Sequence, residues 1–92
     1  MIKSFRHKGL HNFYKTGNMS GIQPKHSKRL RFQLAALDTA KTIDDIDIPG
    51  FNLHPLKRNK QGRWSITVNG NWRLTFEFCE NNIYILDYED YH

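Results

Sequence analysis

Residues 64–78 read WSITVNGNWRLTFEF and contain the clearest structural signal in this chain of 92 residues. Apolar and polar residues alternate on both sides of an Asn69-Gly70 pair. An Asn-Gly pair between two alternating runs is typical of a β-hairpin. The alternation places Trp72 and Leu74 on one face of the second strand and Arg73 on the other. The segment therefore predicts two antiparallel strands that bury one face.

Further strands are predicted on both sides of this hairpin. Residues 51–56 (FNLHPL) alternate, and Pro55, which cannot donate a ladder hydrogen bond, should end this strand or place it at an edge. After a polar turn at residues 80–82, residues 83–88 are apolar on both sides, as in a central strand covered by helices on one face. A short strand is also expected at residues 2–5.

The N-terminal half is predicted to form two helices. Over residues 7–15 the apolar residues are spaced as on one side of a helix, and Gly17 is suited to end it. Pro24 should begin a second helix, residues 24–39, whose apolar stripe consists of Leu30, Leu34 and Leu37, widened by Phe32, Ala36 and Ala40. Helices followed by hairpins predict one α+β domain over residues 1–92, with two helices packed on a small, mainly antiparallel sheet in the order β-α-α-β-β-β-β.

The chain is basic, with a net charge of +5 and a pI near 9.6, which favours an anionic partner such as nucleic acid. Residues 1–43 carry nine Lys or Arg residues and one Asp, whereas residues 74–92 carry five acids and no Lys or Arg. The basic half is either a solvated helical surface or a platform for a polyanion. Its candidate RNA-binding residues, with those of the following loop, are Lys8, Lys25, Lys28, Arg29, Arg31, Arg58, Lys60 and Arg63.

Several classes of protein are disfavoured. Cys79 is the single cysteine, so an intrachain disulfide is excluded, and no Cys/His cluster has the spacing of a zinc site. The acidic residues 42–50 lack the spacing of a calcium loop and are interpreted as a solvated linker. No signal peptide or membrane-spanning stretch is evident, so we expect a soluble cytoplasmic protein that uses no metal, cofactor or membrane.

The polar residues of the C-terminal half suit metal-free cleavage of RNA. Attack of a 2′-hydroxyl on the adjacent phosphate needs a proton acceptor, cations to stabilise the phosphorane and a proton donor for the leaving oxygen. Each candidate also has a simpler interpretation. His54 beside a proline could be a surface residue, Arg73 could pair with Glu77, and the terminal Asp-Tyr-His could be a frayed tail. The candidates are His54, Lys57, Arg73, Asp90, Tyr91 and His92.

Four segments resemble the HigB toxins of host-inhibition-of-growth toxin–antitoxin modules, within the RelE-like superfamily. They are IKSFRHKGL at 2–10, LHPLK at 53–57, WSITVNGNWRLTF at 64–76 and DYEDYH at 87–92. The resemblance implies a microbial-ribonuclease-like α+β fold, ribosome-dependent cleavage of mRNA in the decoding A site, and neutralisation by a helix-turn-helix antitoxin, HigA. Arg63, where many relatives have an aromatic residue, and Asn69-Gly70, where the turn is often basic, depart from the family pattern.

The same resemblance implies roles for the six candidates. Asp90 or His54 would accept the proton, His92 or Tyr91 would lie near the reacting phosphate, and Lys57 and Arg73 would stabilise charge. Two other functions remain open. A ParE-like gyrase inhibitor would share the fold without needing these side chains, and a non-catalytic RNA-binding module would need only the basic residues.

Overall fold

A computed structural model describes residues 1–56 and 62–91 of the chain. Within these residues, two helices precede a four-stranded sheet in which each strand pairs antiparallel with the next, in the order β1-β2-β3-β4. This arrangement confirms the predicted α+β fold. The elements are α1 (Lys8–Thr16), α2 (Ser27–Thr39), β1 (His54–Pro55), β2 (Arg63–Asn69), β3 (Trp72–Cys79) and β4 (Asn82–Asp90), with short 3-10 turns at Pro24–His26 and Ile43–Ile46.

The two hairpins of the sheet have tight turns. Asn69 pairs with Trp72, so the β2–β3 loop consists of Gly70 and Asn71, and Gly70 has a φ of 56°. Thus the predicted hairpin is confirmed, with its turn one residue further along the chain. Glu80 and Asn81 form the β3–β4 turn, and both have positive φ values. Positive φ at both central residues is the pattern of a type I′ turn, which matches the twist of the flanking strands.

The strand predicted at residues 2–5 is wrong. Only Ile2 and Phe5 form isolated parallel bridges, to Ile83 and Leu86 of β4. No continuous ladder forms between residues 2–5 and β4, because β4 bulges at Ile85, whose φ is 55°. The Ser4 hydroxyl accepts a 2.8 Å hydrogen bond from the Ile85 backbone N–H at this bulge. The N-terminal segment therefore covers the edge of β4 without becoming a strand.

The strand predicted at residues 51–56 is shorter than expected, since only His54 and Pro55 pair with β2. Asn52 has a left-handed φ of 53°, which turns the chain away from the ladder, and Pro55 has no N–H to donate. As predicted, this strand lies at an edge of the sheet. Phe51 is fully buried and Leu53 half-buried, so the segment still contributes to the core.

Both helices follow the predicted pattern, with one exception. In α1, His7 Nδ1 accepts a hydrogen bond from the Leu10 N–H, and Gly17 ends the helix at a φ of 80°. In α2, the three leucines are buried, but Phe32 is 55% exposed, so its assignment to the apolar stripe is wrong. Gln33 is buried in its place and donates a 2.7 Å hydrogen bond to the Thr67 carbonyl of β2.

One face of the sheet forms the core together with the helices. Its fully buried side chains include Ile66, Leu74 and Phe76, which pack in one cluster with Leu10, Leu30 and Leu37 of the helices. The acidic stretch that was interpreted as a linker contains the 3-10 turn Ile43–Ile46, closed by reciprocal hydrogen bonds of Thr42 and Asp45. No helix in the described part of the chain has the length and apolar character needed to cross a bilayer.

Candidate active site

The face of the sheet that points away from the helices is polar. Directly paired residues of antiparallel strands point to the same face, so the register defines its rows. His54, Ser65, Thr75 and Asp87 form one row across the four strands. We call this surface the polar face. Its described residues within the strands are His54, Arg63, Ser65, Thr67, Arg73, Thr75, Glu77, Cys79, Asn82, Tyr84, Asp87 and Glu89.

A second row of the polar face passes through Thr67, Arg73 and Glu89, and Tyr91 follows Glu89 by two residues. The centre of the face has short hydroxyl side chains that longer neighbours cover. Ser65 is 1% exposed and Thr75 is fully buried. Thr75 Oγ1 donates a 2.7 Å hydrogen bond to Glu89 Oε2. The Ser65 hydroxyl has no hydrogen-bond partner among the described residues, an uncommon state for a buried polar atom.

Arg73 is half-buried on the polar face, opposite Trp72 and Leu74 as the sequence predicted. Its Nη1 donates to the Gly70 carbonyl at 2.6 Å and to the Trp72 carbonyl at 3.1 Å. No ion pair joins Arg73 to Glu77, so the simpler interpretation of Arg73 is not observed. Within residues 1–56 and 62–91, Nε and Nη2 have no hydrogen-bond partner. Both nitrogens can therefore donate to a phosphate oxygen.

Tyr91 extends the polar face beyond the end of β4. Its backbone N–H donates a 2.8 Å hydrogen bond to the Asn71 carbonyl, which holds the segment against the β2–β3 turn. Burial raises the pKa of the Tyr91 phenol, and the Glu89 carboxylate raises it further, while Arg63 and Arg73 act in the opposite direction. The carboxylates of Glu89 and Asp87 and two guanidinium groups therefore act on the phenol, and it remains protonated at neutral pH.

His54 lies at the opposite edge of the polar face and is exposed. Its Nδ1 is 2.9 Å from the Asn52 carbonyl oxygen. A carbonyl oxygen can only accept, so this bond requires a proton on Nδ1 and leaves Nε2 to exchange protons with a ligand. Two strand spacings, roughly 10 Å, separate His54 from Thr75 at the centre of the face.

The register separates Asp90 from this group. Asp90 pairs with Trp72, in the row that belongs to the helix-packed side, and its carboxylate contributes to the raised pKa of the buried Tyr88 after burial itself. Asp90 is exposed and makes at least one further interaction of its own. Lys57 and His92, the other two members of the predicted set, lie outside the described residues. The structure thus places His54, Arg73 and Tyr91 on one face of the sheet, with His54 and Tyr91 at opposite sides of that face.

The predicted RNA-binding residues fall into different environments. Arg63 is half-buried on the polar face, in the row of Glu77. Arg29 holds α2 against β2 and the preceding loop, because its guanidinium donates to the carbonyls of Val68 at 3.0 Å and Gly50 at 2.8 Å. Four of the remaining residues are exposed and two lie outside the described residues. The exposed four are Lys8, Lys25, Lys28 and Arg31, and the other two are Arg58 and Lys60.

Sequence reasoning missed two carboxylates of the polar face, Asp87 and Glu89. Asp87 Oδ2 lies 3.8 Å from Arg6 Nε, and Glu89 is the cross-strand partner of Arg73. Asp87 and Glu89 precede Tyr91 by four and two residues, so strand alternation predicts that both lie on the same face as Tyr91. The pairing of Glu89 with Arg73 could not be predicted, because it depends on the strand register beyond the β4 bulge. Among the described residues, no group of three or more His, Cys, Asp or Glu side chains has an arrangement that could hold a metal ion.

Comparison with known proteins identifies the family of this chain. Residues 3–92 match the sequence model of a family described as the RelE-like toxin of the type II toxin–antitoxin system HigB. The chain is also 48% identical over 92 residues to the endoribonuclease HigB of Proteus vulgaris, and the alignment covers the whole of both chains. Because the family match spans nearly all of the sequence, the chain belongs to the HigB-like family of RelE-like toxins.

Proposed function

We propose that this protein is a ribosome-dependent endoribonuclease that cleaves mRNA in the decoding A site, as the toxin of a type II toxin–antitoxin module. One observation carries the proposal: Arg63, Arg73, Tyr91 and His54 share one face of the sheet, with groups suited to binding a phosphate and exchanging protons. The relative named as an endoribonuclease supports the same activity.

In the proposed reaction the RNA itself supplies the nucleophile. An acceptor takes the proton of a 2′-hydroxyl, the 2′ oxygen bonds to the adjacent phosphorus, and the bond from phosphorus to the 5′ oxygen breaks. A donor then protonates the departing 5′ oxygen, which leaves a 2′,3′-cyclic phosphate and a 5′-hydroxyl. The reaction consumes neither water nor a redox partner. The residues assigned to it are His54, Lys57, Arg73, Asp90, Tyr91 and His92.

Arg73 and Tyr91 have the clearest roles in this scheme. Nη1 of Arg73 donates to the Gly70 carbonyl, which leaves Nε and Nη2 to bind the oxygens that gain charge in the transition state. Tyr91, whose raised pKa keeps its proton at neutral pH, donates to the leaving oxygen. The family resemblance implies His54 or Asp90 as the group that accepts the proton of the 2′-hydroxyl.

The dispersed arrangement of these groups supports a requirement for the ribosome. His54 and Tyr91 lie at opposite sides of the polar face, so a free RNA strand gains little positioning from either. A strand whose backbone is already held in the A site presents its 2′-hydroxyl and phosphate in a fixed orientation, and such positioning can contribute several kcal/mol. The exposed lysines of the N-terminal half would add phosphate contacts whose strength falls with salt concentration.

A toxin of this type has an antitoxin as its partner, and we propose a HigA-like helix-turn-helix protein for this chain. Co-expression of such a protein from the neighbouring gene should restore growth to cells that produce the toxin. The ribosome and mRNA are the other partners in this scheme, which places the protein in the cytoplasm.

The decisive experiment is primer extension on a reporter mRNA with the purified protein, in the presence and absence of ribosomes. The proposal predicts defined cuts only when ribosomes are present, and their loss in the Arg73→Ala variant. Cleavage of naked RNA at the same rate would remove the ribosome from the proposal. A chain that inhibits DNA supercoiling by gyrase and cuts no RNA would instead be a ParE-like inhibitor. Ribosome or RNA binding without cleavage would indicate a binding module.

A further inference from the structure

Three carboxylates lie on the described part of the polar face, and they differ in what surrounds them. Asp87 has Arg6 as a neighbour at 3.8 Å and accepts a 2.9 Å hydrogen bond from the Tyr88 N–H. Glu77 pairs with Arg63 and Tyr84, in the row furthest from Tyr91. Glu89 alone lies directly across from Arg73, one strand spacing or about 5 Å away.

Glu89 is also held in place. Its Oε2 accepts a 2.7 Å hydrogen bond from Thr75 Oγ1, and Thr75 is fully buried, so the carboxylate cannot rotate freely. No ion pair joins Glu89 to Arg73, although the two residues face each other, because the guanidinium turns towards the Gly70 carbonyl. Oε1 has no hydrogen-bond partner among the described residues. One carboxylate oxygen is therefore anchored and the other is available.

The position of Glu89 relative to Tyr91 completes the arrangement. Tyr91 follows Glu89 by two residues, so strand alternation puts both on the polar face, and after burial the Glu89 carboxylate contributes to the raised pKa of the Tyr91 phenol. A proton acceptor, a proton donor and a guanidinium on one face of the sheet are the groups that phosphodiester transesterification requires. By contrast, Asp90 belongs to the row of Trp72.

From this geometry we propose that Glu89 is the proton acceptor for the 2′-hydroxyl in the proposed cleavage reaction. The inference rests on the proposed function. A glutamate is ionised at neutral pH, so Oε1 can receive the proton as the 2′ oxygen bonds to phosphorus. Arg73 stabilises the phosphorane, and Tyr91 protonates the leaving 5′ oxygen. After the product leaves, Glu89 releases its proton to solvent and Tyr91 takes up a proton from solvent.

The test is single-turnover cleavage of ribosome-bound mRNA by Glu89→Gln, measured with saturating protein over a range of pH. Glutamine keeps an oxygen for the Thr75 hydroxyl but cannot accept the proton. Loss of a general base typically costs about 10² to 10⁴ in rate. We expect a loss of that size at neutral pH, with ribosome binding within about threefold of the natural chain. Cleavage by the natural chain should also fall at acidic pH, and this dependence should vanish in Glu89→Gln.

Two further variants separate catalysis from charge and from folding. Glu77→Gln removes a negative charge from the same face of the sheet as Glu89→Gln does, and this variant should cleave within about threefold of the natural rate. Glu89→Asp keeps a carboxylate one methylene shorter, so it should retain part of the rate and the loss of activity at acidic pH. If both Glu89 variants lose activity equally and melt at the same lowered temperature, the role of Glu89 is structural and the inference is wrong.

The remaining outcomes also decide the question. Cleavage by Glu89→Gln at the natural rate would overturn the inference while leaving the proposed function intact. Faster cleavage or tighter ribosome binding would mean that Glu89 repels the RNA backbone, which overturns it equally. Should the natural chain itself fail to cut mRNA on ribosomes, the proposed function fails first, and this inference fails with it.

Discussion

His26 and Tyr88 share a buried hydrogen bond, with His26 Nδ1 2.6 Å from the Tyr88 hydroxyl. The two residues are 1% and 4% exposed, and Trp72 packs against both rings. The bond joins the start of α2 to Tyr88 of β4, which precedes Tyr91 by three residues. Thus a polar contact within the core positions the strand segment that carries Glu89 and Tyr91 on the opposite face.

Replacing Tyr88 by Phe should destabilise the fold. The change leaves His26 Nδ1 buried without a partner and removes the 3.4 Å hydrogen bond from the Gln23 N–H. An unsatisfied buried polar group costs about 1 to 3 kcal/mol. Urea unfolding at pH 7.5 should show a loss in this range. Tyr84→Phe, a half-buried tyrosine on the polar face, should change the free energy of unfolding by less than about 0.5 kcal/mol, and equal effects of the two variants would contradict the explanation.

Stability should depend on pH through His26. Burial lowers the pKa of His26 below its ordinary value of 6.5, and nearby Lys25 lowers it further. The unfolded chain therefore binds a proton at pH values where the folded chain does not. The stabilisation is fully present above pH 6.5 and is lost as the pH falls from 6.5 to the lowered pKa of His26.

Urea unfolding at pH 7.5 and at pH 5.5 measures this dependence. The natural chain should have a lower free energy of unfolding at pH 5.5 than at pH 7.5. In His26→Phe this difference between the two pH values should be smaller, because the contribution of His26 is removed. His11 is exposed and serves as the control, since His11→Gln should keep the natural pH dependence. A pH dependence that is the same in His26→Phe and in the natural chain would assign it to other groups.

Tyr91→Phe should reduce cleavage without preventing binding. The variant keeps the aromatic ring and the backbone bond to the Asn71 carbonyl, but it removes the proton that the phenol would donate. Losing a general acid typically costs about 10² to 10⁴ in rate. Single-turnover cleavage on ribosomes should fall by that factor while ribosome affinity stays constant. Full activity in Tyr91→Phe would exclude the phenol as the donor, and Tyr84→Phe is again the matched control.

The elements that depend on local pattern could be predicted from the sequence. Alternation predicted the β2–β3 hairpin and the face on which Arg73 lies, and helical spacing predicted α1 and the leucines of α2. The prediction for Phe32 is wrong because helical spacing alone does not show whether a residue at the edge of the apolar stripe is buried or exposed to solvent. Gln33 is buried because a carbonyl at the end of β2 accepts its hydrogen bond, and that tertiary contact has no local signal.

The composition of the site could be predicted only in part, because the face of a strand residue depends on register. The β3–β4 pairing shifts between Thr75 and Glu77, and Ile85 adopts a left-handed conformation that glycine or asparagine adopts more readily. A shift of one residue reverses which side chains share a face. For this reason Asp90 was selected from its sequence motif, whereas Glu89 was recognised only once its pairing with Arg73 was known.

Gly9 should tolerate no side chain, because α1 and the connector before α2 touch there through their backbones. A Cβ on Gly9 would contact the Gly21 carbonyl oxygen and lie 2.7 Å from its Cα, and backbone atoms cannot move aside as a side chain can. Overpacking of this kind costs about 1 to 3 kcal/mol. Gly9→Ala should lose stability in that range on urea unfolding, with ribosome-dependent cleavage by the folded fraction unchanged. Gly17→Asn is the control, since Gly17 has open space around it and asparagine accepts its φ of 80°. If Gly9→Ala were as stable as Gly17→Asn, the two segments would not be in close contact.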